Sequence, residues 1–215
     1  MSTIAFISVS LIYMLTILYF SSTRLSKIGT EFSRKFAHVA ISLWWFFGNY
    51  FAPNSWAAYW VAIIMAIFMV VAYRFHLING IERSGEVQSF GCIYYFIGML
   101  ILLILSYWLY GSMIPLGIFF MPLGFGDAAA ALLGKYFHWK TYTIIHASKS
   151  ISGNIAMFVV SFLSMLTYST IYNLNYTITN LLWISLAATI LEAISIKGTD
   201  NFTIPIGSFL LSLLF

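Results

Sequence analysis

The stretch VQSFGCIYYFIGMLILLILSYWLYGSMIPLGIFFMPLGFG, residues 87–126, runs for 40 residues without Asp, Glu, Lys or Arg. A transmembrane helix needs about 20 consecutive apolar residues, so this run is long enough for two crossings. Gly111, Ser112 and Pro115 lie near its middle, where turn-forming residues favour a reversal of the chain. The stretch therefore predicts a helical hairpin that enters and leaves a membrane on the same side.

Two further uncharged runs have the same design, residues 36–73 and 150–191. Turn-forming residues again lie near the middle of each, and uncharged stretches at both ends of the chain add one crossing each. Eight segments are predicted, at residues 3–20, 36–51, 55–73, 91–110, 113–134, 151–172, 176–193 and 201–215. The last is short for a full crossing, so seven helices followed by a half-inserted tail is the alternative.

Composition supports a membrane protein. Of the 215 residues, 61% are hydrophobic and 7% are charged, against about 25% charged in soluble domains. Backbone groups in lipid are satisfied only in helices or closed barrels, and the apolar runs are continuous rather than alternating. We therefore expect an all-α polytopic bundle of about 7–8 transmembrane helices, forming one integral-membrane domain over residues 1–215.

The charged residues predict the orientation of this bundle. With the eight segments above, every charged residue lies on or near one face, which is rich in Lys and Arg and is therefore expected to be cytoplasmic. Both termini are then expected on the opposite side. The basic residues occur in small clusters beside apolar segments, which fits topology and anionic lipid rather than nucleic-acid binding. Cys92 is the single cysteine, which excludes an internal disulfide.

Aromatic residues are expected mainly at the membrane interfaces. Trp44, Trp45, Trp56 and Trp60 lie near predicted helix ends, and Tyr94 with Tyr95 opens the fourth segment. Trp and Tyr rings are enriched at the headgroup level of membranes. We therefore predict that these residues are interfacial anchors.

Asp127 follows directly after the 40-residue uncharged run. An ionisable group this close to the hydrocarbon costs a few kcal/mol and should face the protein interior or a polar cavity. The residues that follow it are small, and positions 127, 131 and 134 share a helix face that favours close helix packing. A functional role is favoured, and an ion pair with Lys135 or Lys149 is the structural alternative.

Glu192 and Asp200 are two further carboxylates near the same membrane face, where the cations are Arg34, Lys35, Arg83 and Lys149. Mg²⁺ is bound by oxygen ligands, including one or two carboxylates and phosphate oxygens, and cations bind the phosphates. His38 follows Arg34 by four residues and shares its helix face. These residues predict a site for a magnesium nucleotide against the bilayer.

Five motifs occur in an order and spacing that resemble the CTP-dependent lipid-alcohol kinases, namely the dolichol, phytol and CTP-type diacylglycerol kinases. They are RKFAH, ERSGE with GCIYYFIG, GFGDAAAALLGKYF, KSISGN and LEAISIKGTDNFTIP. This group shares a broader membrane superfamily with phosphatidate cytidylyltransferase. The resemblance implies transfer of the γ-phosphate of CTP to the hydroxyl of a membrane lipid alcohol, with Mg²⁺ as cofactor. It divides the chain into a first helix with linker, residues 1–33, and a kinase-like core, residues 34–207.

The resemblance also implies residue roles. Catalytic roles fall to Asp127, His38 and Glu192, metal binding to Asp127 and Asp200, and nucleotide binding to Arg34, Lys35, Lys149, Ser150, Gly153 and Asn201. The chain departs from the family pattern around Gly153, where Ser152 and Asn154 replace the usual Glu and Ser or Thr. This change removes one carboxylate, and Glu192 or Asp200 is expected to supply the missing charge.

Two other functions remain open from the sequence. A phosphatidate cytidylyltransferase also uses CTP but transfers CMP to a lipid phosphate, and its late motif, K-D followed by H-G-G and D-R, is absent here. A small transporter would use the carboxylates to bind a coupling ion, although such sites usually lie near the bilayer midplane.

Overall fold

The computed structural model describes residues 1–52, 55–78, 90–144, 147–195 and 198–215. Its helices are α1 Thr3–Thr23, α2 Thr30–Phe51, α3 Ser55–Arg74, α4 Gly91–Tyr110, α5 Gly117–Met121, α6 Asp127–Phe137, α7 Ile151–Ile171, α8 Ile178–Ile194 and α9 Asp200–Ser212. Each predicted segment contains a helix, so the all-α membrane bundle is confirmed. The ERSGE motif, Arg83 and His146 lie outside the described residues.

Five stretches of the described chain are long and apolar enough to cross a membrane: Thr3–Lys27, Trp56–Arg74, Gly91–Tyr110, Ile114–Phe137 and Ile151–Ile171. Helix α8 is apolar but shorter. Helix α2 begins at Thr30, six residues before the predicted boundary, so Arg34 and Lys35 lie inside the helix rather than in a linker. The acidic Glu31 in its first turn favours this early start through the helix dipole.

The predicted fifth segment is not one regular helix. A 3₁₀ turn, Ile114–Leu116, leads into α5, and a π-helical turn, Pro122–Gly126, separates α5 from α6. Pro122 lacks a backbone N–H, so the regular α-helical ladder is interrupted at this point. Asp127 is therefore the first residue of α6 and not a residue late in a continuous helix.

A short antiparallel hairpin follows α6, which the sequence did not predict. Strand β1, Thr141–Ile144, pairs with β2, Ala147–Ser150, and Tyr142 lies opposite Lys149. Ser150 ends β2 and caps α7, where its Oγ accepts a hydrogen bond from the Gly153 N–H at 3.1 Å. The hairpin thus holds Lys149 at the start of α7.

The central element of the bundle is the broken segment from α5 to α6. The π turn packs against α2 and α7, while α8 packs against α7 and α9, and α3 packs against α4. Trp44 and Trp45 are fully buried in this core, and Tyr95 is 3% exposed, so the prediction that they are interfacial anchors was wrong. Trp56 and Trp60 are exposed, as expected for anchors.

The described charged residues gather at one end of the bundle. Lys35 near the start of α2 meets Asp127 at the start of α6, and Lys149 before α7 meets Glu192 near the end of α8. At the other end of the bundle the contacts are aromatic. Phe6 of α1 contacts Trp44 there, and Phe209 of α9 contacts Phe119. The membrane side that the charged end faces remains a prediction.

Candidate active site

Helix α2 supplies the basic side of the charged site. Arg34 forms an ion pair with Glu31 at 3.1 Å, and Lys35 lies 3.8 Å from the same carboxylate. These residues are three and four positions apart, which places them on one helix face. Arg34, Lys35 and His38 are all buried, although Arg and Lys are rarely buried in proteins without a partner.

Asp127 reaches α2 because the π turn lies wedged between two helices. A Cβ at Gly124 would overlap the Ser42 Oγ of α2, and a Cβ at Gly126 would overlap the Ser161 Oγ of α7. Only glycine fits at both positions, so the turn can approach both backbones closely. π turns are frequent at functional sites, and here the turn ends directly at Asp127.

The centre of the site is a buried pair between Asp127 and Lys35. The Lys35 Nζ donates to Asp127 Oδ2 at 2.5 Å, and both side chains are 3% exposed. His38 Nδ1 lies 3.3 Å from the same oxygen, without reaching the geometry of a hydrogen bond. Removing one partner of a buried pair typically costs about 3–5 kcal/mol, because the other charge is left uncompensated. Asp127 therefore pairs with Lys35, and not with Lys135 or Lys149, the partners that the sequence offered as the structural alternative.

A second ion pair lies beside the first. The Lys149 Nζ donates to the Glu192 carboxylate and, at 2.9 Å, to the Glu192 backbone carbonyl. The charges of Asp127 and Lys35 also act on Glu192. The structure therefore places charged side chains from α2, α6, β2 and α8 close enough for their charges to interact.

Ser150 and Gly153 lie where α6 and α7 cross. A Cβ on Gly134 would lie 3.2 Å from the Gly153 Cα, and a Cβ on Gly153 would lie 3.0 Å from the Ala130 carbonyl oxygen. The buried residues of α6 are Asp127, Ala128, Ala130 and Gly134, and Ala131, on the predicted face, is half-buried. The Gly153 N–H donates a hydrogen bond to the capping Ser150 Oγ, so both residues stabilise the chain at this crossing.

Asp200 and Asn201 begin α9. The Asp200 Oδ1 accepts a hydrogen bond from the Asn201 N–H at 3.1 Å. Asn201 is 4% exposed, and its Oδ1 has no hydrogen-bond partner among the described residues. Its side chain packs against Gly91 at the start of α4. The described structure gives no direct contact between these two residues and Asp127.

Glu31, the π turn and the β hairpin are the parts of the site that the sequence analysis missed. The signal for Glu31 was available, because it precedes Arg34 and Lys35 by three and four residues on one helix. Pro122 with Gly124 and Gly126 could have indicated an interrupted helix. The hairpin carries no comparable signal, since its strands are only four residues long.

The site offers oxygen atoms of the kind that Mg²⁺ prefers, but the described residues do not gather them into one metal cage. No group of three or more His, Cys, Asp or Glu side chains that could hold a metal occurs in the described part of the chain. Asp127, Asp200 and the unpartnered Asn201 Oδ1 nevertheless offer oxygen atoms, which Mg²⁺ prefers. Mg²⁺ in kinases is held by one or two carboxylates and by substrate phosphates, so a complete protein cage is not required.

The fold and the site define a class: an integral helical membrane protein with a buried set of paired carboxylates and cations at one end of the bundle. The chain is similar to a phytol kinase from Synechocystis sp., with 27% identity over 197 residues. The match covers 88% of this chain and 81% of that protein, and it supports the resemblance to lipid-alcohol kinases. No protein-family model and no solved structure matches the chain.

Proposed function

We propose that the protein is a membrane lipid kinase, which transfers the γ-phosphoryl group of CTP to the hydroxyl of a lipid alcohol. The likeness to phytol kinase along nearly the whole chain supports the kinase class, and the buried Lys35–Asp127–His38 cluster supports the location of the site. A bond forms between the lipid oxygen and the γ-phosphorus while the bond to the β-phosphate oxygen breaks. CDP leaves, and the hydroxyl proton passes to a base.

The nucleotide phosphates are assigned to the cations of the site. Lys35 and Arg34 on α2 and Lys149 on β2 are each paired with a carboxylate, and phosphate oxygens would replace these partners. Ser150, Gly153 and Asn201 complete the nucleotide-binding set by their place in the family motifs. Catalysis of phosphoryl transfer depends mainly on positioning and charge neutralisation, which paired cations supply.

Mg²⁺ would be held by Asp127 and Asp200 together with the phosphates, and it would neutralise charge on the transferred group. The Asp127 carboxylate already accepts a hydrogen bond from Lys35. Nucleotide binding would therefore draw Lys35 towards the phosphates and free this oxygen. Glu192 keeps Lys149 in place until the nucleotide binds.

His38 is assigned as the base that accepts the hydroxyl proton. Its Nδ1 is buried and has no hydrogen-bond partner among the described residues, and it lies 3.3 Å from Asp127 Oδ2. The ring nitrogen that faces Asp127 would carry its proton towards the carboxylate, so the other ring nitrogen would accept the hydroxyl proton, and the carboxylate would stabilise the resulting cation. Asp127 thus orients the base as well as contributing oxygen atoms.

Ser152 and Asn154, the two residues that depart from the family motif, each donate a hydrogen bond to a neighbouring side chain. The Ser152 Oγ donates to the Ser150 Oγ at 3.1 Å, and the Asn154 Nδ2 donates to the Tyr142 hydroxyl at 2.6 Å. Both therefore stabilise the junction between the hairpin and α7. We propose that Glu192, paired with Lys149, supplies the carboxylate that the family has at position 152.

The test is a kinase assay in vesicles with labelled CTP and a panel of lipid alcohols. Label from the γ-phosphate appearing in the lipid supports the proposal, whereas label from the α-phosphate would identify a cytidylyltransferase. Ion-dependent solute uptake with no labelled lipid would favour a transporter. Repeating the assay with labelled ATP in place of CTP identifies which nucleotide donates the phosphoryl group.

A further inference from the structure

Glu31, in the first turn of α2, binds two of the cations to which the nucleotide phosphates are assigned. Its Oε2 lies 3.1 Å from the Arg34 Nη1, and its Oε1 lies 3.8 Å from the Lys35 Nζ. Residues three and four positions apart share one helix face, so the carboxylate is held beside both cations by its own helix. One side chain therefore places an oxygen atom at each of these two cations.

Glu31 differs from Asp127 and Glu192 in its exposure. The Glu31 side chain is 35% exposed, whereas those of Asp127 and Glu192 are 3% and 8% exposed. The side chains of Arg34 and Lys35 are also buried, so water screens their charges less than it does in a surface ion pair. Glu31 can turn away from the cations into water at a low cost, which the buried carboxylates cannot.

A phosphate group would compete with Glu31 for the N–H donors of Arg34 and Lys35. Carboxylate and phosphate oxygens bind Arg and Lys through the same charge-assisted hydrogen bonds, so the two anions cannot fill the same donors at once. Because the carboxylate is tethered beside the cations, its effective concentration there is on the order of millimolar or above. A free phosphate at a lower concentration therefore does not displace it.

A triphosphate can displace Glu31 where a single phosphate cannot. In the proposed complex its phosphates also reach Lys149, and linked contacts strengthen binding without a second loss of translational freedom. Competition from Glu31 weakens the binding of both anions by the same factor. Only the weaker ligand, inorganic phosphate, is thereby prevented from binding at ordinary concentrations.

We infer that Glu31 is a specificity-determining residue, which occupies the phosphate position at Arg34 and Lys35 in the empty site and excludes inorganic phosphate from it. The inference rests on the proposed kinase function, which assigns phosphates to these cations. When the nucleotide binds, Glu31 turns into water, and the two cations exchange one anionic partner for another. Removal of Glu31 should therefore strengthen anion binding, whereas removal of a residue that positions the cations would weaken it.

The test compares Glu31→Gln, which removes the charge and nearly keeps the shape, with Glu31→Asp, which keeps the charge. Thr23→Lys is the control for net charge, because it also adds one positive charge, at an exposed position at the end of α1. Each full-length protein is purified in phosphate-free detergent buffer, and its Tm is measured against increasing inorganic phosphate, since a ligand of the folded state raises the Tm. Equilibrium dialysis measures the Kd of labelled CTP with Mg²⁺, with and without phosphate.

We expect Glu31→Gln to bind inorganic phosphate about tenfold more tightly than the wild type, the size of one charge-assisted hydrogen bond. Its Kd for CTP should fall by a similar factor in phosphate-free buffer, and added phosphate should now compete with CTP. Glu31→Asp and Thr23→Lys should behave like the wild type, in which millimolar phosphate leaves the Tm and the Kd of CTP unchanged.

A merely structural Glu31 gives a different result. Glu31→Gln would then lower the Tm, phosphate would not restore it, and the Kd of CTP would stay the same or rise, which would overturn the inference. A wild-type protein whose Tm already rises with submillimolar phosphate would overturn it without any variant, and so would a Thr23→Lys protein with the same gain as Glu31→Gln. Phosphate binding gained in Glu31→Gln, with no phosphoryl transfer from CTP to any alcohol by the wild type, would overturn the kinase proposal and retain the exclusion of phosphate by Glu31.

Discussion

Asp127 is the residue on which the site depends, because it is buried, ionisable and in contact with both Lys35 and His38. Asp127→Asn keeps the shape of the side chain and removes its charge. We expect kcat to fall about 10²- to 10³-fold, the usual loss when one group that stabilises the transition state is removed. The measurement is lipid phosphorylation per mole of protein reconstituted in vesicles. An Asn variant with wild-type turnover would remove Asp127 from the mechanism.

The same pair predicts a stability effect that does not depend on activity. Lys35→Met and Asp127→Asn each leave one buried charge without its main partner, and each should lower the free energy of unfolding by about 3–5 kcal/mol. The double variant removes both charges, so its free energy of unfolding should fall by less than the sum of the two single-variant losses. Thermal unfolding in detergent measures this. Strict additivity would show that the two side chains do not interact.

At the scale of elements, the π turn decides where Asp127 lies. Gly126→Ala adds a Cβ against Ser161 Oγ, with Met157 Sδ also within 2.8 Å. Overpacking of this kind costs about 1–3 kcal/mol, so we expect a lower Tm and reduced kinase activity. Adding Ser161→Ala removes the nearest atom and should restore much of the Tm. A Gly126→Ala variant with unchanged Tm would contradict the close packing of this turn.

The β hairpin gives a second prediction at this scale. Lys149→Met should raise the KM of CTP about tenfold and leave the KM of the lipid alcohol unchanged, because the lysine is assigned to the phosphates. Lys140→Met is the matched control, since Lys140 adjoins the same hairpin but is exposed. Equal KM values for CTP in the two variants would exclude the assignment of Lys149.

The whole molecule predicts one topology. Cysteines placed at Lys27 and Lys140, in a Cys92→Ser background, should react with an impermeant reagent from one side of the membrane. Cysteines at Tyr50 and Asn175, which lie at the opposite end of the bundle, should react only from the other side. All four positions are exposed. Labelling of Lys27 and Lys140 from opposite sides would separate the two halves of the charged site.

Much of the fold follows from the sequence alone, because each long uncharged run must cross a membrane as helix and its turn residues mark the reversal. The eight segments and the gathering of charges at one end were predictable in this way. The importance of Asp127 was also predictable, since an ionisable group at the edge of an apolar run needs a protein partner.

The tertiary structure alone decided which partner each charge takes. Asp127 pairs with Lys35 from a helix 92 residues away, and neither spacing nor composition predicts such a contact. The same holds for Lys149 with Glu192, and for Trp45 and Tyr95, which face the core rather than the membrane interface. The physical reason is that hydropathy determines which segments enter the bilayer, whereas close packing of small residues determines which helix faces meet.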